Sequence, residues 1–88
     1  MSSSFPPLPD RSELMRFFRS QIARRLQCDP AEIDSHRDLH QMGLQSIDAV
    51  VITGELEDYI DREVDPTLLL NHRTIAQIVD ACFEHPTE

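Results

Sequence analysis

The sequence predicts an all-α fold: a four-helix bundle of three principal helices and one short one, with a long loop after the first helix. Three observations predict it. Apolar residues recur at helical spacing in three separate segments, cap signals stand at helix starts, and no segment alternates like a half-buried strand. With 88 residues, the chain makes one small domain, near the lower limit for a core held without disulfides or metal.

Residues 1–9, with three serines and three prolines, read as a disordered leader ahead of a domain spanning 10–84. Asp10 and Glu13 form a capping-box signal, followed by Leu14, Phe17, Phe18, Ile22 and Leu26 at helical spacing. A first helix over about 11–27 follows. Asp29-Pro30-Ala31-Glu32 is a second cap signal, with proline at the first helical position, but no long apolar pattern follows it. One short turn is expected there, and Ile33 and Leu39 are expected to pin a long polar loop to the core. Residues 29–45 exceed the usual loop length, and such loops often carry function.

From Ser46 to about Asp61 the helical pattern resumes. Ile47, Ala49, Val50, Ile52, Leu56 and Tyr59 or Ile60 supply an apolar side; Asp48, Glu55, Glu57, Asp58 and Asp61 supply an acidic one. Ile47 and Val51, four apart, are placed to form a small exposed apolar strip, with Ile47 equally able to join the core. Gly54 costs this helix about 1 kcal/mol relative to alanine; close packing against a neighbour is the expected compensation, with a simply tolerated defect as the alternative. Asp65-Pro66-Thr67 opens the short helix, Leu68 to Leu70, which Asn71 ends. Thr74 and Gln77 make another capping box, and Ile75, Ile78, Val79, Cys82 and Phe83 form a clean amphipathic stripe. Residues 85–88 read as a frayed tail.

Charge is unevenly spread. Residues 1–28 carry five arginines against Asp10 and Glu13, while residues 29–65 carry eleven acids against Arg37 and Arg62. The net charge of −8 disfavours a nucleic-acid partner, since the phosphate backbone would repel it. An acidic middle is either a solvated face or a docking surface for an electropositive protein. Cys28 and Cys82 make neither a disulfide framework nor a metal-ligand spacing, and His36 and His40 lie in a loop that guarantees no shared face; no metal site is expected. The absence of a long apolar run or a signal-peptide pattern points to a cytoplasmic monomer without membrane insertion. So short a chain favours a carrier or binding module and not an enzyme.

The stretch Gly43-Leu44-Gln45-Ser46-Ile47 places one hydroxyl where a turn becomes an acidic helix. Unpaired N–H groups and the helix dipole there favour an anion such as a phosphate. Serine is also a common helix cap, so these five residues alone do not separate the two roles.

With these elements in order, residues 10–84 resemble the acyl carrier proteins of fatty-acid and polyketide synthesis. That family's motif has glycine, any residue, usually aspartate, then serine and leucine or isoleucine. Gly43, Leu44, Ser46 and Ile47 fit it, Gln45 stands where aspartate is usual, and Leu39 and Met42 fill the preceding apolar positions. Asp48 and Leu56-Glu57-Asp58-Tyr59-Ile60 resemble the second helix of fatty-acid carriers. Residues 67–75 resemble the polyketide version, from which Asn71 and Arg73 depart. Met42-Gly43-Leu44 is closer to acyl than to peptidyl carriers, which often have a second glycine.

The resemblance implies a 4′-phosphopantetheine arm, transferred from coenzyme A to Ser46 by a phosphopantetheinyl transferase. The arm's thiol then carries acyl thioesters between acyl-loading and chain-elongating synthase enzymes with basic docking surfaces. It implies a partner face of Leu44, Gln45, Ile47, Asp48, Val51, Glu55 and Asp58, with Leu44 and Ile47 flanking the arm and the acids meeting basic residues. The pathway is left open among fatty-acid, specialised-lipid and polyketide synthesis. Gln45 removes a charge worth about 1 kcal/mol or less at an interface rim, so it either tunes transferase choice or is neutral variation. The alternatives are a degenerate carrier fold that docks without the arm, and an unrelated helical interaction module, against which the acidic second helix argues.

Overall fold

The computed structural model describes residues 9–84. The leader expected at 1–9, apart from Pro9, and the tail expected at 85–88 lie outside the described residues. Helix α1 spans Arg11–Leu26, α2 Ser46–Ile60, α3 Leu68–Asn71 and α4 Ile75–Glu84, with a 3₁₀ turn at Pro30–Glu32. The described elements are all helical, and the first loop is long, as expected. None of these helices is long and apolar enough to cross a membrane.

The caps explain the boundaries. Asp10 accepts the Glu13 N–H at 2.9 Å, starting α1, and Asp29 accepts the Ala31 N–H at 2.9 Å, starting the 3₁₀ turn. Gln27 closes α1 and Asp61 closes α2, each in the left-handed region that stops a helix and turns its last N–H back onto it. Asp65 accepts both the N–H and the hydroxyl of Thr67, setting the turn into α3. At α4 the capping box is reciprocal: Thr74 Oγ1 accepts the Gln77 N–H at 3.1 Å, and Gln77 Oε1 accepts the Thr74 N–H at 3.3 Å.

Leu14, Phe18 and Ile22 of α1, Ile52 and Leu56 of α2, Leu69 of α3, and Ile75, Ile78 and Val79 of α4 form the centre of the core. Each such side chain contributes about 1.5–3 kcal/mol by leaving water. Helix α1 packs on α4 and α2, while α3 bridges α2 and α4. The pair Arg11–Asp80 also joins α1 to α4. Phe17, at the edge of the core, meets Phe18 edge-on and stacks on Tyr59 with centroids 4.5 Å apart. Tyr59 is thus surface-exposed but held, and Ile60 is the residue that enters the core. Phe83 differs from expectation: the stripe of α4 ends in an exposed ring because Ala81 turns inward instead.

The loop between the 3₁₀ turn and α2 is anchored at both ends and in its middle. Ile33, Ser35, Leu39 and Leu44 are buried. The Leu39 N–H donates to the Arg73 carbonyl at 2.8 Å, and the Ala76 N–H donates to the Ser35 carbonyl at 3.0 Å. Arg19 of α1 donates to Ser35 Oγ at 2.8 Å, and Arg73 pairs with Asp38 at 3.1 Å. Near its end, Gly43 takes φ of +107°, a conformation that L side chains rarely adopt, and redirects the chain into α2.

The second glycine corrects an expectation. A Cβ at Gly54 would meet nothing within 4 Å, so no neighbour packs closely against it. The two glycines therefore respond oppositely to alanine. Gly54→Ala should raise stability by about 0.5–1 kcal/mol, and Gly43→Ala should lower it by about 1 kcal/mol or more. Urea unfolding of the two variants checks both signs, and destabilisation by Gly54→Ala would contradict its open placement.

Candidate functional site

Ser46 is exposed and is the first residue of α2. The cap position belongs to Gln45, whose backbone is extended at φ −109° and ψ 168°. Ser46 therefore does not serve as the helix cap, the role that the sequence left open for it. Its neighbours on both sides are held. Leu44 is buried, and its N–H donates to the Leu39 carbonyl at 3.0 Å. On the helix side the Ala49 N–H donates to the Gln45 carbonyl at 3.1 Å. The hydroxyl stands at the positive end of a four-turn helix, where an attached phosphate would gain favourable electrostatics.

The residues expected to surround the serine divide into three groups. Gln45, Ile47, Glu55 and Asp58 are exposed, with Ile47 at 60%, so it lies outside the core. Val51 is half-buried. Leu44 and Asp48 differ from expectation. Only 5% of Leu44 is exposed, since it closes the loop onto the core, and little of it is left for a partner or an arm. Asp48 is engaged inside the chain: one oxygen accepts from Arg25 Nε at 2.9 Å and the other accepts the Gln45 N–H at 2.9 Å. Its side chain is 13% exposed, so it does not offer a ready carboxylate to a basic partner.

Val50, expected on the inward side, is instead 54% exposed. Thr53 explains the rotation. It is buried, with its hydroxyl donating to the Ala49 carbonyl at 2.8 Å, so the inward face runs through Ala49, Ile52, Thr53, Leu56 and Ile60. On a helix of 3.6 residues per turn, that face leaves Ile47, Val50 and Gly54 outward, with Glu55 and Asp58 beyond them. The exposed apolar strip is thus Ile47 and Val50 more than Ile47 and Val51. Arg25 is the site residue that sequence reasoning misses. The helical pattern assigns it only to an outer face of α1, and pairing across 23 residues leaves no local signal.

Other reactive groups lie apart from this site's chemistry. Burial pushes the Cys82 thiol up to about 11, which makes it a poor nucleophile near neutral pH. Among the described residues, no group of three or more His, Cys, Asp or Glu side chains is placed to hold a metal ion.

Residues 16–82 match the family model of the phosphopantetheine attachment site. One component of the phenolphthiocerol/phthiocerol polyketide synthase of Mycobacterium tuberculosis is 35% identical over 68 residues, which are 77% of this chain and 4% of that protein. The chain thus spans a small fraction of the curated relatives it matches. A free-standing peptidyl carrier protein from a secondary metabolic pathway of Acinetobacter baumannii superposes with a TM-score of 0.79 at 29% identity, covering 85% of this chain and 94% of that one. An acyl carrier protein from Anabaena with a variant phosphopantetheinylation-site sequence superposes with a TM-score of 0.76 at 26% identity, covering 94% of each chain.

The Asp48 carboxyl is held below its ordinary value of 3.8, first by the Gln45 N–H and then by the Arg25 guanidinium, which together outweigh desolvation. A depressed native pKa contributes stability that is present above the unfolded value and lost as pH falls through the native one. Asp48→Asn should therefore be less stable than the parent at pH 7, with the gap closing as pH drops below 3.8. Denaturation midpoints measured from pH 7 to about 2 check this; a gap that stays constant would deny the carboxylate this role.

Proposed function

This chain belongs to the phosphopantetheine attachment-site family of carrier proteins, and we propose on that premise that Ser46 bears its arm. The family carries its substrates on a covalently attached phosphopantetheine and is non-catalytic. The observation that carries the assignment to Ser46 is its placement: an exposed hydroxyl at the first position of α2, uncommitted to capping, between the anchored Leu44 and Asp48. A transferase can reach such a hydroxyl, and the helix end favours the phosphodiester that results.

The cargo is an acyl thioester of polyketide or related secondary metabolism. The match to a polyketide synthase supports this, as does the likeness of residues 67–75 to polyketide carriers. The acidic second helix keeps fatty-acid or specialised-lipid synthesis as the second pathway reading. Gln45 tunes which transferase accepts the serine; the Anabaena carrier also has a variant site sequence. Partner enzymes dock on the outward face of α2, where Ile47 and Val50 give apolar contact and Glu55 and Asp58 give charge. Phosphopantetheinyl transferase and the loading and elongating synthases are the partners, with a monomeric cytoplasmic carrier moving between them.

Incubation with coenzyme A and a broad-specificity transferase, followed by intact mass, tests the attachment. A mass gain present in the parent and lost in Ser46→Ala supports it; no gain with any transferase would favour a docking protein without the arm. In the same assay Gln45→Asp should change the loading rate with at least one transferase, and equal rates with several would remove the tuning role. Reversing Glu55 and Asp58 to lysine should slow association with transferase and synthase, most at low salt. An unchanged association rate would move the docking face elsewhere.

A further inference from the structure

Next to Ser46 lies an ion pair that the attachment motif does not account for. Arg25, in the last turn of α1, donates its Nε–H to Asp48 Oδ1 at 2.9 Å. The second oxygen of that carboxylate accepts the Gln45 N–H at 2.9 Å. These two bonds run from α1 to the residue immediately before the serine. Both carboxylate oxygens are engaged, and the carboxylate is mostly shielded from water.

A carboxylate at the third helical position is favoured there by the helix dipole, but by itself it samples several rotamers. The guanidinium selects the rotamer that reaches back to Gln45, because the charged donor fixes one oxygen and leaves the other aimed at the N–H. On the opposite side of the serine, the burial of Leu44 fixes the backbone. Ser46 thus lies between an apolar anchor and a charged one, and the charged one originates on a different helix.

We infer that Arg25 is a positioning residue for the modification of Ser46: through Asp48 it holds the Leu44–Gln45 peptide, whose N–H the carboxylate binds, and so fixes the backbone that presents the Ser46 hydroxyl to the transferase. The inference rests on the reading of Ser46 as the attachment residue. Arg25 acts through Asp48 and takes no part in the transfer itself. While it does so, Asp48 cannot pair with a basic partner without releasing Arg25, which leaves docking charge to Glu55 and Asp58.

The test loads the parent, Arg25→Ala, Arg25→Lys and Arg24→Ala from coenzyme A with one transferase, well below the melting transition of each. Arg25→Ala should lower kcat about three- to tenfold with a smaller change in KM, and Arg25→Lys should recover part of the loss. Arg24→Ala, at an exposed neighbour, should load at the parental rate. The Gln45 amide should lose exchange protection in Arg25→Ala while the amides of α4 keep theirs. Adding Asp48→Asn to Arg25→Ala should change the rate little further, because each breaks the same connection. Parental loading by Arg25→Ala, or an equal fall in Arg24→Ala, would overturn the positioning role. A parent chain that takes no arm would overturn the Ser46 reading itself, an outcome distinct from loading that ignores Arg25.

Discussion

Leu39 holds the longest irregular segment of the molecule in place, and the geometry around Ser46 depends on it. Its side chain is 1% exposed, its N–H donates to the Arg73 carbonyl, and its own carbonyl accepts the N–H groups of Met42 and Leu44. One residue therefore ties the loop to the core, to the segment before α4, and to the turn that leads into α2. The physical constraint is that a long loop must satisfy its backbone groups somewhere while its ends stay ordered. Here the loop folds over a buried leucine, and Gly43 uses its positive φ to send the chain on into α2.

Helix α2 then divides its surface between two tasks. The inward face includes a threonine, whose hydroxyl is satisfied by the Ala49 carbonyl and so can be buried without a large penalty. That choice turns Ile47 and Val50 outward and leaves Gly54 as bare backbone between them and Asp58. The acids follow the same division. Asp48 is engaged within the chain and Glu57 accepts the Val64 N–H, whereas Glu55 and Asp58 face water. An acidic helix read as one uniform surface is thus partly scaffold and partly available for partners.

Much of the fold was legible because its signals are local. Asp10, Asp29 and Thr74 mark element starts through hydrogen bonds spanning two or three residues, and the apolar period places Leu14, Phe18, Ile22, Ile75, Ile78 and Val79 inward. The motif around Ser46 was legible in the same way, as a short pattern at a helix start. Val50 departs from the apolar pattern because hydropathy describes a residue's preference, while burial depends on which neighbours complete the face; Leu44 departs from the role the family resemblance implied because it closes the loop onto the core. Thr53 took the inward position that the apolar pattern had assigned to Val50.

The sequence by itself determined the helices, their caps, the long loop, the family likeness and the position of the serine. Each of these rests on interactions within a few residues or on a compact motif. Tertiary structure alone decided that Leu44 is sealed inside and that Arg25 reaches Asp48. These depend on how α1 and the loop meet α2, and contacts between residues far apart in the chain leave no mark on the local pattern of either partner.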